Sequence, residues 1–531
     1  MDLLIASATP TDATLAQLGR LASAVTYDFA FARPTLAALS DSLGFAPDQL
    51  GVILALLLAF PLAIVHGALP GGPNVRHAFS AGAGVAVAQF VYGTGWLHSL
   101  GTSLAVYALI CARPRAAAAP TFALCMAYLS AAHLWRMRTD YMGYTLDFTG
   151  PQMLLTIKLT SLAFNVQDGA LEKECAAKDG ENNNNSKVLQ RRAAVSLPAP
   201  PSLLQFLGYV YNFGTFMAGP AFEMREYLNG TERSHFIEVG GSGGKGKGKL
   251  PSSRLVPTLR KLLAGVAYLG LFAALGGTYD ITQIVSAERL AEPWPQRFAW
   301  SWLAIHVTRW RYYGAWYLAE ASCVLMGFGY VPRAAAPPAG GGLLGAWDPR
   351  WDGVSNVMAT KVDFGASPKE ILDNWNKATQ SWLAHYVYAR TGSSLAATYT
   401  VSAVWHGFYP GYYFTFLSMP LLTKINRLCY RRVSPRFASA GDGSGSSSHP
   451  VWWWACCVAA TSVMLNYLIF PFLVLDRAGS LAVWGSYGYA GHALLALLVP
   501  VLSALPAPRA AGKQEEEEEK KKKKKKKKKG E

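Results

Sequence analysis

What this chain can fold into is limited most by a recurring pattern of apolar stretches, each long enough or nearly long enough to cross a lipid bilayer. A membrane-crossing helix needs about 20 mostly apolar residues. Leu50–Val65, Phe79–Gly95, Trp96–Ala112, Ala119–Trp135, Leu259–Tyr279, Gly314–Tyr330, Thr398–Leu422, Trp452–Leu475 and Leu481–Leu505 fit that description. Leu15–Phe31, Pro151–Val166, Leu203–Phe222 and Phe298–Val307 fit it less well. In hydrocarbon the backbone must satisfy its own hydrogen bonds, which favours helices. The pattern predicts an all-α, polytopic transmembrane helical bundle of about 11 spans, some re-entrant.

Composition agrees with this. Charged residues make up only 15% of the chain and hydrophobic residues 51%, whereas soluble chains carry about 25% charged residues. Disorder, a coiled coil and a disulfide scaffold are excluded for the bulk of the sequence. The N-terminus lacks the basic region and cleavage site of a secretory signal, so insertion is expected to use internal spans. No internal repeat is evident, which counts against an inverted-repeat transporter.

Polar inserts near 167–201, 239–249, 334–342 and 439–448 interrupt the apolar pattern. Their Asn, Gly, Lys, Ala, Pro and Ser content reads as flexible linkers within one membrane domain over residues 1–511. Residues 512–531 read as a disordered Glu/Lys tail. The net charge of +16 includes +5 from that tail. The remaining basic residues cluster at segment ends, as at Arg136 and Arg138 or Arg431 and Arg432, where anionic membrane lipids are the expected partner. No nucleic-acid motif accompanies them. Lys528-Lys529-Gly530-Glu531 fits a dilysine retrieval signal, so an endoplasmic reticulum membrane location is expected.

Several apparent motifs fail on context. Gly240-Gly241-Ser242-Gly243-Gly244 imitates a nucleophile elbow but has no strand before it. Gly241–Lys247 imitates a phosphate loop, yet Gly248 stands where Ser or Thr should be. There is no HExxH and no CxxC, so no metal site is expected, and the seven cysteines read as free thiols. No Asp lies five positions after any His, which excludes the His-x4-Asp acyltransferase motif.

The informative region runs from Asp373 to Tyr413. Trp375, Thr379, Trp382 and Tyr386 are spaced to share one helical face, suited to a membrane interface. Thirty residues beyond Asn376, His406 lies inside an apolar segment. An ionisable group at that depth is costly and points to function. A buried imidazole stays neutral, able to accept a proton near pH 7. Pro410-Gly411 is expected to disturb the helix beside it. His66, His98, His133 and His492, also near apolar stretches, are expected only to bond neighbouring helices.

Taken together, these residues resemble the membrane-bound O-acyltransferase family, and within it the lysophospholipid acyltransferases, most closely those acting on lysophosphatidylcholine. The resemblance runs from about Leu50 to Leu505. It is carried by Leu146–Met153, Ala163–Gly169, Pro201–Leu204, Gly219-Pro220, Arg311–Tyr313 with Trp316 and Glu320, Trp375-Asn376, and Trp405–Tyr413. It implies a helical bundle with an intramembrane reaction chamber and transfer of an acyl chain from acyl-CoA to the free hydroxyl of a lysophospholipid, with no cofactor. It also implies that His406 is catalytic, as general base, with Asn376 as its partner. Trp375, Trp382, Trp405, Gly407 and Tyr412 are then candidate pocket residues. The Asp147–Met153 and Trp405–Tyr413 blocks favour a lysophospholipid over another acceptor such as diacylglycerol or a protein. A transporter would call for further buried charges along a pathway.

Overall fold

The computed structural model describes residue 17 and residues 29–43, 46–143, 145–178, 187–236, 250–331, 349–438 and 449–506. Among these residues every regular element is helical. The helices that matter here are α1 (Pro47–Ala68), α2 (Pro73–Tyr92), α3 (Trp96–Ala112), α4 (Ala118–Thr139), α5 (Thr149–Lys178), α6 (Lys187–Val195), α7 (Leu203–Val210), α8 (Met224–Glu232) and α9 (Leu255–Leu275). They continue with α10 (Trp294–Met326), α11 (Ala359–Asp363), α12 (Pro368–Asn374), α13 (Lys377–Trp382), α14 (Leu395–His406), α15 (Pro410–Leu428), α16 (Val451–Val474), α17 (Arg477–Ser486) and α18 (Ala490–Ala504).

By length and composition, four described segments can cross a membrane: Pro47–Ala68, Pro73–Ala112, Ser252–Leu275 and Val451–Val474. The α17–α18 pair makes a fifth if its 72° bend is one broken span. Other apolar stretches depart from simple spans for local reasons. Phe298–Val307 and Gly314–Tyr330 as far as Met326 belong to one continuous 33-residue helix, α10, whose interior carries His306, Arg309, Arg311 and Glu320. Leu203–Phe222 is helical only over Leu203–Val210, a short helix opened by a capping box between Ser202 and Gln205. Thr398–Leu422 is two helices, because Gly407 adopts φ 125°, a conformation that ends α14 and favours glycine.

Part of the insert read as flexible is helix. α5 runs unbroken to Lys178 and α6 covers Lys187–Val195. Arg390 pairs with Asp168, and the Leu197 amide bonds the Asn165 carbonyl at 2.9 Å, so this region is tied to the bundle. The inserts at 239–249, 334–342 and 439–448, the Gly-rich motifs within the first of them, the 512–531 tail and the dilysine lie outside the described residues.

Two close helix crossings are set by small residues. A Cβ at Gly265 on α9 would sit 3.1 Å from the Gly314 carbonyl on α10, and the reverse holds too, so the two backbones meet where side chains are absent. On the other side, Gly411 at the start of α15 brings its amide 2.8 Å from the Leu475 carbonyl. A Cβ there would lie 1.9 Å from the Pro471 carbonyl oxygen. Pro471 has no amide hydrogen, so the Tyr467 carbonyl one turn earlier loses its helical donor. The Trp484 indole N–H donates to that oxygen instead, at 2.9 Å, fastening α17 to α16.

Candidate active site

His406 is the last residue of α14. Its ring is surrounded by Trp405 (4.7 Å between centroids), Tyr412 (5.6 Å), Phe416 (5.1 Å) and Phe472 (5.0 Å). His406, Tyr412, Phe416 and Phe472 are each half-buried. It has no hydrogen-bond partner among the described residues. The expected disturbance falls at Gly407, three residues before Pro410; Pro410 opens α15 at a position where a missing amide hydrogen costs nothing.

Behind the site stands α4. His133 Nε2 donates to the Trp405 carbonyl at 3.0 Å, and its other ring edge packs over Gly407, where a Cβ would come within 3.2 Å of Nδ1. The expectation for His133, a bond to a neighbouring helix, is met at the residue that precedes His406. His98 and His492 are met similarly, by Tyr128 at 2.7 Å and Tyr467 at 2.8 Å. Both ring nitrogens of His66 are buried without a partner among the described residues.

Asn376 sits in the break between α12 and α13, in the left-handed region at φ 47°, ψ 55°. Asparagine tolerates that conformation better than most residues. The surrounding backbone is held by Asn356, which accepts from the Lys377 amide through its carbonyl (2.8 Å) and from the Ala378 amide through Oδ1 (3.1 Å). Asn356 is itself anchored by fully buried Glu320, whose Oε1 accepts from the amides of Asn356 (2.6 Å) and Val357 (3.1 Å). The other carboxylate oxygen meets buried Lys261 of α9 at 2.5 Å. A buried ion pair therefore fixes the loop that caps α13 beside Asn376. Glu320 belonged to the sequence blocks already noted, whereas Lys261 and Asn356 were not singled out; one opposite charge on each of two adjacent apolar helices was the readable signal.

The single helical face expected for Trp375, Thr379, Trp382 and Tyr386 is not formed, because the chain breaks at Trp375-Asn376 and winds as a π-helix over Leu383–Val387. Trp375 packs on Tyr312, Tyr313 and Trp316, with centroids 4.9 to 5.8 Å away. Trp382 and Tyr386 turn to α5: the Trp382 indole donates to Thr160 Oγ1 at 3.0 Å, and the Tyr386 hydroxyl lies 2.7 Å from Asn165 Oδ1. The Trp405 indole donates to the Met153 carbonyl at 2.9 Å, so Trp382 and Trp405 stand together, 6.3 Å apart.

A cavity of about 430 Å³ opens on the other side of Trp382. Its charged lining is Arg191, Arg225 and Lys377 together with Glu223, Glu226 and Asp352. Neither His406 nor Asn376 lines it; Lys377 and Trp382, on the helix that follows Asn376, do. The Lys377 ammonium has no ion-pair or hydrogen-bond partner among the described residues. Nearby, burial holds His385 below the ordinary histidine range, partly offset by its bond to the Ser381 carbonyl. Among the described residues no cluster of His, Cys, Asp and Glu is arranged to hold a metal ion.

Comparison with known proteins shows the family. The profile of the membrane-bound O-acyltransferase family matches residues 137–469. The chain is 29% identical to a lysophospholipid acyltransferase of Schizosaccharomyces pombe over 88% of each chain. It is 30% identical to human membrane-bound glycerophospholipid O-acyltransferase 2 over 87% of each. With lysophospholipid acyltransferase 1 of Arabidopsis thaliana it shares 28% identity, over 89% of this chain and 99% of the relative.

Proposed function

Because the chain belongs to the membrane-bound O-acyltransferase family, we propose that it moves a fatty acyl chain from acyl-CoA to the free hydroxyl of a lysophospholipid, most closely lysophosphatidylcholine, in the endoplasmic reticulum membrane. The lysophospholipid acceptor is supported by the names of the relatives aligned over most of both chains. The observation that carries the mechanism is His406: an unpartnered imidazole at a helix end, boxed by aromatic rings.

Such a ring is suited to general base catalysis. A hydroxyl is a weak nucleophile until its proton is taken. In the proposed step an unprotonated ring nitrogen of His406 receives the acceptor's proton as the hydroxyl oxygen attacks the thioester carbonyl. The carbon–sulfur bond breaks, CoA leaves as the thiolate, and the imidazolium returns the proton to sulfur. The thioester is already activated, so the step calls for no further cofactor. Asn376, held in its left-handed turn by the Glu320–Asn356 chain, orients the donor or the developing oxyanion. The cavity beside Trp382, with unpaired Lys377 and with Arg191 and Arg225, suits the phosphates of CoA.

The test is direct. The protein is expressed in cells lacking endogenous activity, and microsomes are given labelled acyl-CoA with a panel of lysophospholipids, diacylglycerol and monoacylglycerol. Labelled diacyl phospholipid is the expected product, with lysophosphatidylcholine the preferred acceptor. Transfer to diacylglycerol alone would overturn the acceptor assignment.

A further inference from the structure

Midway along α10, three of the five N–H donors of a guanidinium are unused. Arg309 Nη1 lies 3.8 Å from Asp363 Oδ1, but Nε and Nη2 are buried without a hydrogen-bond partner among the described residues. Arginine stays charged in proteins, and buried donors left unmet are costly. Nε–H and Nη2–H form two parallel donors on one edge of the plane, a geometry that matches two oxygens of one phosphate. Asp363 does not supply that edge; its Oδ1 also accepts the Tyr313 hydroxyl at 2.9 Å.

The place of Arg309 in the fold is informative. It is near the centre of a 33-residue helix, about 24 Å from either end. Tyr313, which shares Asp363, packs 5.8 Å from Trp375, the residue before Asn376. Leu465 of α16 joins the same cluster. Phe472, seven residues further along α16 and so about 10 Å along its axis, stands edge-on to His406. One stretch of α16 thus touches both the Tyr313–Trp375 cluster and the His406 ring.

We infer that Arg309 binds the acceptor's phosphodiester, its free Nε–Nη2 edge receiving two phosphate oxygens. The inference rests on the lysophospholipid reading above. In a lysophospholipid only four bonds separate the free sn-2 oxygen from phosphorus. Bringing that hydroxyl to His406 therefore draws the phosphate anion into the protein interior, where a guanidinium fork replaces lost water. CoA also carries phosphates, but a long pantetheine arm separates them from the thioester, and the arms of the test distinguish the two sources.

The test uses the full-length protein in detergent and compares wild type with R309K, R309Q and R309Q/D363N. The double variant removes both charges, so that no buried carboxylate is stranded. Equilibrium binding of radiolabelled lysophosphatidylcholine is measured without acyl-CoA, and KM values are measured for both substrates. R309Q and the double variant are expected to raise the lysophosphatidylcholine Kd and KM about ten- to a hundredfold, leaving the acyl-CoA KM unchanged. R309K should recover only part of the loss, because it restores charge without the fork. Unchanged lysophosphatidylcholine binding by the double variant, a KM rise confined to acyl-CoA, or a fall in kcat alone overturns the inference. A wild-type protein that binds the probe through Arg309 but transfers no acyl chain overturns the acyltransferase reading and keeps the phosphate site. Transfer with variant-independent binding overturns only the site, and a wild type that neither binds nor acylates the probe overturns both.

Discussion

His133 on α4 donates a hydrogen bond to the carbonyl of Trp405, 272 residues away and immediately before His406. Carbonyls in the last turn of a helix lack intrahelical donors, and α14 ends one residue later. A carbonyl only accepts, so His133 Nε2 carries the hydrogen. The bond fixes the end of α14, and with it the direction in which the His406 ring points.

His133→Ala is therefore expected to lower kcat about tenfold, in line with the loss of one buried hydrogen bond, while both KM values stay within about twofold. His133→Asn, which keeps an N–H donor, should recover part of the rate. Steady-state kinetics in microsomes checks this; full activity in His133→Ala would remove His133 from the account.

The role of Asn376 separates into backbone and side-chain parts. Glycine accepts the left-handed turn freely, whereas alanine costs about 1 kcal/mol there. Asn376→Gly should unfold at nearly the wild-type temperature and Asn376→Ala at a lower one, with acyl transfer strongly reduced in both. Tryptophan fluorescence on heating, paired with the transfer assay, reads the two effects apart. An active Asn376→Gly would assign the residue to the turn alone.

The Lys261–Glu320 pair is buried on both sides, and removing Glu320 leaves the ammonium with the more distant Asp352, 3.6 Å away, at a cost of up to about 3–5 kcal/mol. Glu320→Gln should sharply reduce the yield of folded protein. Lys261→Met with Glu320→Leu should recover much of that stability but not activity, because the Asn356 and Val357 amides lose their acceptor and the cap of α13 loosens. Thermal unfolding and acyl transfer on the same preparations decide this.

Gly411 faces the Pro471 carbonyl with no room for a Cβ. Gly411→Ala should separate α15 from α16 and destabilise by about 1–3 kcal/mol. It should also reduce activity, since Tyr412, Phe416 and Phe472 on these two helices wall the His406 ring. A thermal melt matching wild type would contradict the close approach.

Much of the candidate site's local geometry was legible in the sequence because its strongest signals are local. Trp405-His406-Gly407 carries an ionisable ring, a helix stop and an aromatic neighbour in three adjacent residues. The Trp375–Tyr386 face was misread because helical spacing presumes a continuous helix, and the left-handed Asn376 and the π-helical turn after Trp382 shift the register of everything that follows. The span pattern misjudged α10 because an interior charge need not end a helix when it has work elsewhere, as Glu320 does in pairing with Lys261 and holding a loop. His133 and Asn356 act through backbone groups far away in the chain, and nothing in their local sequence marks such contacts.

The central claim is that His406 takes the acceptor's proton. The measurement is acyl transfer from labelled acyl-CoA to lysophosphatidylcholine by wild type, His406→Ala and His406→Gln, normalised to folded, membrane-inserted protein. A loss of about 10²–10⁴-fold in kcat, with insertion and thermal unfolding preserved, is predicted for both variants. Undiminished transfer by folded His406→Ala would contradict the mechanism.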